Sequence, residues 1–433
     1  MTGTTEDFDA IVVGAGPAGC AAAYRMSMAG LSVVLIERGE TPGSKNLSGG
    51  VLYSAVLNEL IPGFYETAPV ERPITRHTTT FLTKEASCSL DYRSAGLGAP
   101  PYNAFSVLRA KFDEWFAGVA EQAGAFVMPG IRVDEPVVEN GAVVGVRAGD
   151  DVLRAPVVVA ADGANSFLAQ AAGLRPRNAP KDVALGVKAI IRLPRHTIEN
   201  RFGLVGDEGA ACSFDGEVTA GMMGGGFLYT NIDSLSVGLV VRLDDLIESG
   251  AKASQLLADF LDHPLVQPLL RDGELAEYGA HLVPESGSAM THRLFTDGMV
   301  VAGDAAGFAI NRGLVVRGMD LAIGSGVCAA DAIIQAKTLG DFSAHSLSAY
   351  QDRLEDGFVL KDLHTYARAP HFLDRHQLYS TYPEFLTQLL HGIFATDGTP
   401  RQHLVTVARR AMNDSGLRMS ALMGDAVAAG RSL

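Results

Sequence analysis

The chain has 433 residues, 47% of them hydrophobic, so it can bury a large core, and its length argues for two intimately associated domains rather than one. A formal charge of −14 gives an acidic surface, which argues against a nucleic-acid partner and offers anionic lipid headgroups no basic patch. Four scattered cysteines, Cys20, Cys88, Cys212 and Cys328, contain no C-x-x-C pair. They therefore spell neither a zinc site nor an iron–sulfur cluster, and no disulfide framework or metal is expected.

The first residues, MTGTTEDFDAIVVGAG, lack a basic n-region and an apolar h-region, so a signal peptide is not expected. Gly, Asp or Arg interrupts each apolar stretch before it is long enough to span a bilayer. The expectation is a cytoplasmic protein, with peripheral contact at the inner face of the cell membrane left open because an apolar patch is still compatible with this composition.

Phe8 to Val13 is a short apolar run of the type that forms a fully buried parallel strand. Gly14-Ala15-Gly16-Pro17-Ala18-Gly19 follows, then a helix of small residues and a second strand, Leu31 to Glu37. Phe112 to Ala125 has apolar residues at helical spacing, with Gly124 near the stop. Asn140-Gly141 joins two strands as a hairpin, and VVVAADGANS reads as strand, turn and helix start. From about Val183 to Glu285 alternating segments predict an antiparallel sheet. Met299 to Asp304 is again a buried strand, followed by a long helix, MDLAIGSGVCAADAIIQAK, and by further helices beyond Leu339. The fold class is thus α/β with an α+β insert. The expected nucleotide domain is discontinuous (residues 1–75, 100–180 and 286–340), with a substrate domain of 76–99 and 181–285 and a helical C-terminal region of 341–433.

Four motifs carry chemistry. In the first, Gly14 permits a tight turn, Gly16 lets a pyrophosphate approach the backbone, and Gly19 lets helix and strand pack closely. The helix N-terminus supplies N–H groups and partial positive charge to the phosphates. A glycine fingerprint alone is common, but here Glu37 ends the second strand, where a carboxylate accepts ribose hydroxyls. The second motif, ending in Asp162-Gly163, reads on its own as a plain turn. In the third, Gly303-Asp304 follows a buried strand, placing a carboxylate to hold a polyol hydroxyl; capping a helix is the lesser reading, because the first motif already calls for a cofactor. Arg317-Gly318-Met319-Asp320 then opens the long helix, whose N-terminus suits negative charge on a reduced ring. In the fourth, Arg109 stands just ahead of a helix, either to bridge phosphates or as a solvated charge.

In this order and spacing the motifs resemble the FAD superfamily of p-hydroxybenzoate hydroxylase type, which includes geranylgeranyl reductases. Longer strings resemble the FixC family, related to electron-transfer-flavoprotein:quinone oxidoreductases: PGSKNLSGGVLY (42–53), GVKAII (186–191), GGGFLYTNIDSLSVGLV (224–240), EYGAHLVPESG (277–287), RGMDLAIGSG (317–326) and LYSTYPEFL. The resemblance covers essentially the whole chain. It implies a Rossmann-like FAD-binding domain and FAD as cofactor. It puts Gly14, Gly16, Pro17, Ala18, Gly19, Arg109, Gly303 and Asp304 at the pyrophosphate and ribityl chain, and Glu37, Arg38 and Val133 at the adenosine. Asp162 and Gly163 border the cofactor, while Lys45, Asn46, Ser48, Gly49 and Gly50, with Gly318 and Met319, approach the isoalloxazine.

Three departures stand out. The larger quinone oxidoreductases carry an iron–sulfur domain for which this chain has no cysteines; FixC proteins also lack it and are thought to work with a ferredoxin-like partner, FixX. The string GVKE reads Gly186-Val187-Lys188-Ala189, and Phe308 to Val316 places Arg312 among aliphatics ahead of the long helix. The function the resemblance implies is electron relay from an electron-transfer flavoprotein to a quinone, with Met222 to Tyr229 as candidates for an apolar slot. The rivals are a geranylgeranyl-reductase-like enzyme or a monooxygenase acting directly on an apolar small molecule. No side chain is singled out as a catalyst: Tyr229, Tyr278 and His281 suit proton handling, but such residues are more often structural.

Overall fold

Ala10–Val13, Val33–Ile36, Val158–Ala160 and Met299–Val301 are buried at every position, so these strands are covered on both faces. The computed structural model describes residues 8–46, 49–285, 287–290 and 292–433. The buried strands form the middle of a six-stranded sheet. Val33–Ile36 and Phe126–Met128 lie to one side of Ala10–Val13, and Val158–Ala160, Met299–Val301 and Phe295–Thr296 to the other. All pairs are parallel except the edge pair of Phe295–Thr296 with Met299–Val301. The strand order reverses at Ala10–Val13, so a crevice opens at the carboxyl ends of the strands, where doubly wound sheets bind ligands.

Helix Pro17–Met28 packs against helix Met319–Leu339, and small residues set how closely. A Cβ on Gly326 would stand 2.2 Å from the Ala18 carbonyl oxygen, so only glycine permits this approach. Met319–Leu339 is also, by length and composition, apolar enough to cross a membrane, which the sequence reading did not anticipate. Two-thirds of its apolar window (67%) is buried inside the protein, as in a core helix.

The hairpin expected at Asn140-Gly141 forms between Glu135–Glu139 and Ala142–Ala148, with φ of 51° and 87° at its two central residues. The larger sheet has nine strands. Glu274–Pro284, Val183–Arg192, Ser234–Arg242, Gly224–Thr230 and Gly209–Gly216 continue into Val70–Leu82, Ala104–Leu108 and Gly49–Tyr53, with Ser87–Arg93 paired on Val70–Leu82. Gly209–Gly216 runs parallel to Val70–Leu82, so the sheet is mixed. Val70–Leu82 also runs through the junction expected at residue 76. One face of this sheet buries Val187, Ala189, Leu239 and Phe214 against Leu257 and Phe260; the other faces the crevice. Beyond Leu339 the described chain is helical, ending with Thr381–Phe394, Leu404–Asp414 and Met419–Ser432.

Candidate functional site

Between the two sheets and the C-terminal helices runs a cavity of about 1090 Å³. One end is built on the glycine turn. Gly14 has φ +104°, and a Cβ there would lie 2.3 Å from the Ala161 carbonyl oxygen. Gly19 abuts the strand, since a Cβ would lie 1.9 Å from the Gly14 oxygen. Gly16 differs: its added Cβ would meet only Arg109 Nη2, at 3.9 Å, so the missing side chain leaves open space above the N-terminus of helix Pro17–Met28. Glu37 ties the turn together, its carboxylate accepting the Ala15 N–H (3.0 Å) and the Gly39 N–H (2.7 Å).

Arg109 leans over this turn because Asp113, one helical turn on, receives its Nε at 2.8 Å and its Nη2 at 2.7 Å. Asp113 is fully buried and also accepts the Asn46 amide at 3.1 Å. Asp304 faces the cavity with no hydrogen-bond partner for its carboxylate among the described residues. Burial raises its pKa, against the pull of Arg109 and Lys188. Lys188 forms no ion pair among the described residues; burial, helped by Arg109 and opposed by Asp304, brings its ammonium down to about 8. Beside it burial, with Lys188, Arg109 and Arg38, holds His281 at about 4, so its ring is neutral. A dinucleotide fits here: backbone N–H groups and cations for a diphosphate, open space at Gly16, and a free carboxylate for hydroxyls.

Gly14, Gly16, Pro17, Ala18, Glu37, Arg38, Lys45, Asn46, Gly49, Gly50, Arg109, Val133, Asp162, Gly163, Asp304, Gly318 and Met319 all line this one cavity. Gly19 and Gly303 stand behind its wall as packing glycines; a Cβ on Gly303 would press on Ala18 Cβ at 2.8 Å. Ser48 lies outside the described residues. Asp162 contributes backbone to the wall, while its carboxylate turns to Ser166 Oγ (2.9 Å) and the Leu168 N–H (3.1 Å). Gly50 approaches the long helix, its Cβ position 3.2 Å from Met319 Cε. Arg317 is held by Asp320 and Asp362.

The other end of the cavity is an apolar arm reaching the C-terminal helices, with Met223, Ile310, Phe372, Leu373 and Phe385 in its wall. In the stretch Met222 to Tyr229, Met223, Gly224, Gly225, Gly226, Phe227 and Tyr229 face the cavity, whereas Met222 and Leu228 enter the core. Tyr278 is half-exposed and away from the cavity; His281 and Tyr229 line it, and burial pushes the Tyr229 phenol up. Ala189 is fully buried in the core behind the sheet, so the departure at that position leaves the cavity wall unchanged. Arg312 turns away to the Tyr366 hydroxyl (2.9 Å), while Ile310, Asn311 and Leu314 face the arm. Sequence reasoning missed Asp113, Asp215 and Glu285. Only Asp113 left a signal, its i,i+4 spacing from Arg109.

Residues 9–181 match the model of the FAD dependent oxidoreductase family, and residues 369–433 match the ETF-QO/FixC family C-terminal domain. A probable electron transfer flavoprotein-quinone oxidoreductase of Escherichia coli K12 is 47% identical over 397 residues, 92% of each chain. The FixC protein of the same strain is 47% identical over 396 residues, 91% of this chain and 92% of its own. A geranylgeranyl bacteriochlorophyll reductase-like protein from Thermoplasma acidophilum shares the fold, with a TM-score of 0.72 at 22% identity, covering 95% of this chain and 96% of its own. With a relative this similar along nearly all its length, the chain belongs to the FixC/ETF-quinone oxidoreductase family and is an FAD-dependent electron-transfer oxidoreductase.

Proposed function

We propose that the protein takes electrons from an electron-transfer flavoprotein, through a ferredoxin-like FixX-type partner, and delivers them to a quinone. The observation that carries this reading is the two-ended cavity: a polar, cationic end with a glycine turn opens directly into an apolar arm. Bound FAD supplies redox chemistry, accepting electrons and giving them up again. The residues that hold it in this reading are the Gly14–Gly19 turn, Glu37, Arg38, Arg109, Val133 and Asp304. Lys45, Asn46, Gly49 and Gly50, with Gly318 and Met319, would lie along its ring. Asp113 fixes Arg109 in place, and Lys188 and Arg109 offset diphosphate charge. The apolar wall of the arm suits a flat apolar acceptor.

Leu314 and Val316 line the arm yet are 61% and 62% exposed, so the arm opens to the surface there. Close by, Leu433 approaches Gly313, and Met423 and Val427 are exposed one turn apart on the last helix. We place this face against the inner surface of the cell membrane, with the rest of the protein in the cytoplasm.

The test is an anaerobic titration of the purified protein's flavin band. Bleaching by reduced electron-transfer flavoprotein but not by NADPH, reversed by a soluble quinone, is the expected result. Rapid bleaching by NADPH sends the assignment to a direct reductase or a monooxygenase.

A further inference from the structure

The apolar arm carries two acidic side chains that the cofactor end does not use. Asp215 is the next-to-last residue of strand Gly209–Gly216 and lines the arm; its Oδ1 lies 3.2 Å from where a Cβ on Gly225 would stand, so the glycine makes room for it. Glu285 lines the same space just past strand Glu274–Pro284, and its Oε1 accepts the Asn311 amide at 2.9 Å. Among the described residues neither acid forms an ion pair. The nearby cation, Arg242, is taken up by Asp244 at 2.6 Å, Asp245 at 3.1 Å and Asp374. Tyr379, between the acids and the C-terminal helices, senses both, and its hydroxyl donates to the Leu373 carbonyl at 2.8 Å. From the last helix Asp425 also faces the arm, but it is engaged by Tyr382 (2.6 Å) and Arg375.

We propose that Asp215 and Glu285 are the proton donors to a two-electron acceptor bound in the apolar arm. This rests on the quinone reading above. The acceptor's two carbonyl oxygens each gain an O–H bond as the two carboxyl O–H bonds break. The electron pair is the one carried by the bound flavin, and the ring becomes a hydroquinone. The resulting carboxylates are reloaded from water at the Leu314 opening. Burial favours this arrangement, because it raises both carboxyls to about 7, so that in neutral solution each still holds its proton about half of the time, where an ordinary carboxyl would be ionised. An unpaired carboxylate in an apolar wall is costly, whereas a neutral acid can donate.

The first measurement is infrared spectroscopy of the wild-type flavin-loaded protein, following the carbonyl stretch of protonated carboxylic acids from pH 5 to pH 9. The expected result is absorption that disappears with a midpoint near 7, half of it lost in Asp215→Asn and half in Glu285→Gln. Absence of such bands at pH 6 overturns the proposal whatever the acceptor. The second compares, in each variant, reoxidation by a short-chain ubiquinone with that by ferricenium, which takes no proton. The ratio of the two rates is expected to fall about a hundredfold. It should also lose the wild type's decline above pH 7. An unchanged ratio and pH profile in both variants overturns the proton role. A wild-type protein that reduces ferricenium but no quinone at any pH overturns instead the reading on which the proposal rests.

Discussion

Arg109 and Asp113 form a two-point ion pair, 2.8 and 2.7 Å, across one turn of helix Arg109–Gln122, and the pair turns the guanidinium over the open space at Gly16. The planar fork of arginine makes that geometry, and the buried carboxylate is its only acceptor among the described residues. Asp113→Asn keeps the shape but removes the charge. FAD is therefore expected to bind about tenfold more weakly, a loss of ~1.4 kcal/mol, measured by flavin fluorescence on dilution. Unaltered affinity would show that the pair serves the helix and not the cofactor.

Gly14 and Gly16 belong to one motif but answer to different constraints, and alanine at each should separate them. At Gly14 a Cβ meets Ala161 oxygen at 2.3 Å with φ at +104°, so Gly14→Ala should destabilise even flavin-free protein, by about 2 kcal/mol. At Gly16 the backbone is ordinary (φ −83°) and the nearest atom is 3.9 Å away. Gly16→Ala should leave the flavin-free melting temperature within a degree or two while the flavin content on purification drops sharply. Equal losses of stability in the two variants would contradict the assignment of the Gly16 space to the cofactor.

The contrast shows which parts of the site were legible in the sequence. The glycine turn, Glu37 and the buried strands were readable because one local pattern, strand–turn–helix, fixes their geometry over a few residues. Asp304 was readable for the same reason, sitting directly after a buried strand. Asp215 and Glu285 were not, because what matters about them is the absence of a cation, and that depends on Arg242 being occupied by Asp244, Asp245 and Asp374 from distant segments. The joining of Gly49–Tyr53 and Ala104–Leu108 to the large sheet was hidden too, since Ala104–Leu108 pairs with Val70–Leu82, and Gly49–Tyr53 with Ala104–Leu108, rather than with the nucleotide sheet beside them in sequence. At positions 188 and 189 the alternation of the strand decides the outcome: Lys188 faces the cavity and Ala189 the core.

Arg72 is 1% exposed, yet it does not line the cavity, and most of its partners are backbone carbonyls. Its guanidinium donates to the carbonyls of Asn231 (2.7 Å), Glu208 (3.0 Å), Gly206 (3.1 Å) and Ile232 (3.3 Å), with Glu199 at 3.5 Å. It thereby fastens two loops to strand Val70–Leu82. Arg72→Met strips donors from buried acceptors and should cost about 3–5 kcal/mol, read as a lower urea midpoint with an unchanged slope. Arg132→Met, at a largely exposed side chain, should stay within about 0.5 kcal/mol. A comparable midpoint in both variants would mean that the carbonyl cradle contributes nothing.

The two acids of the apolar arm also make stability depend on pH, in a direction opposite to that of a salt-bridged carboxylate. Their folded pKa values of about 7 lie above the ordinary 3.8 and 4.5, so the folded protein binds protons that the unfolded chain releases. Their contribution is fully present below about pH 4 and is lost as pH rises through 7. Between those limits, wild-type stability falls with rising pH relative to Asp215→Asn/Glu285→Gln, whose amides do not titrate. The difference in melting temperature, variant minus wild type, should therefore increase from pH 5.5 to pH 8. A difference that is the same at both pH values would mean that the two carboxyls are already ionised at pH 5.5, and that water or a cation reaches the arm to stabilise their charge.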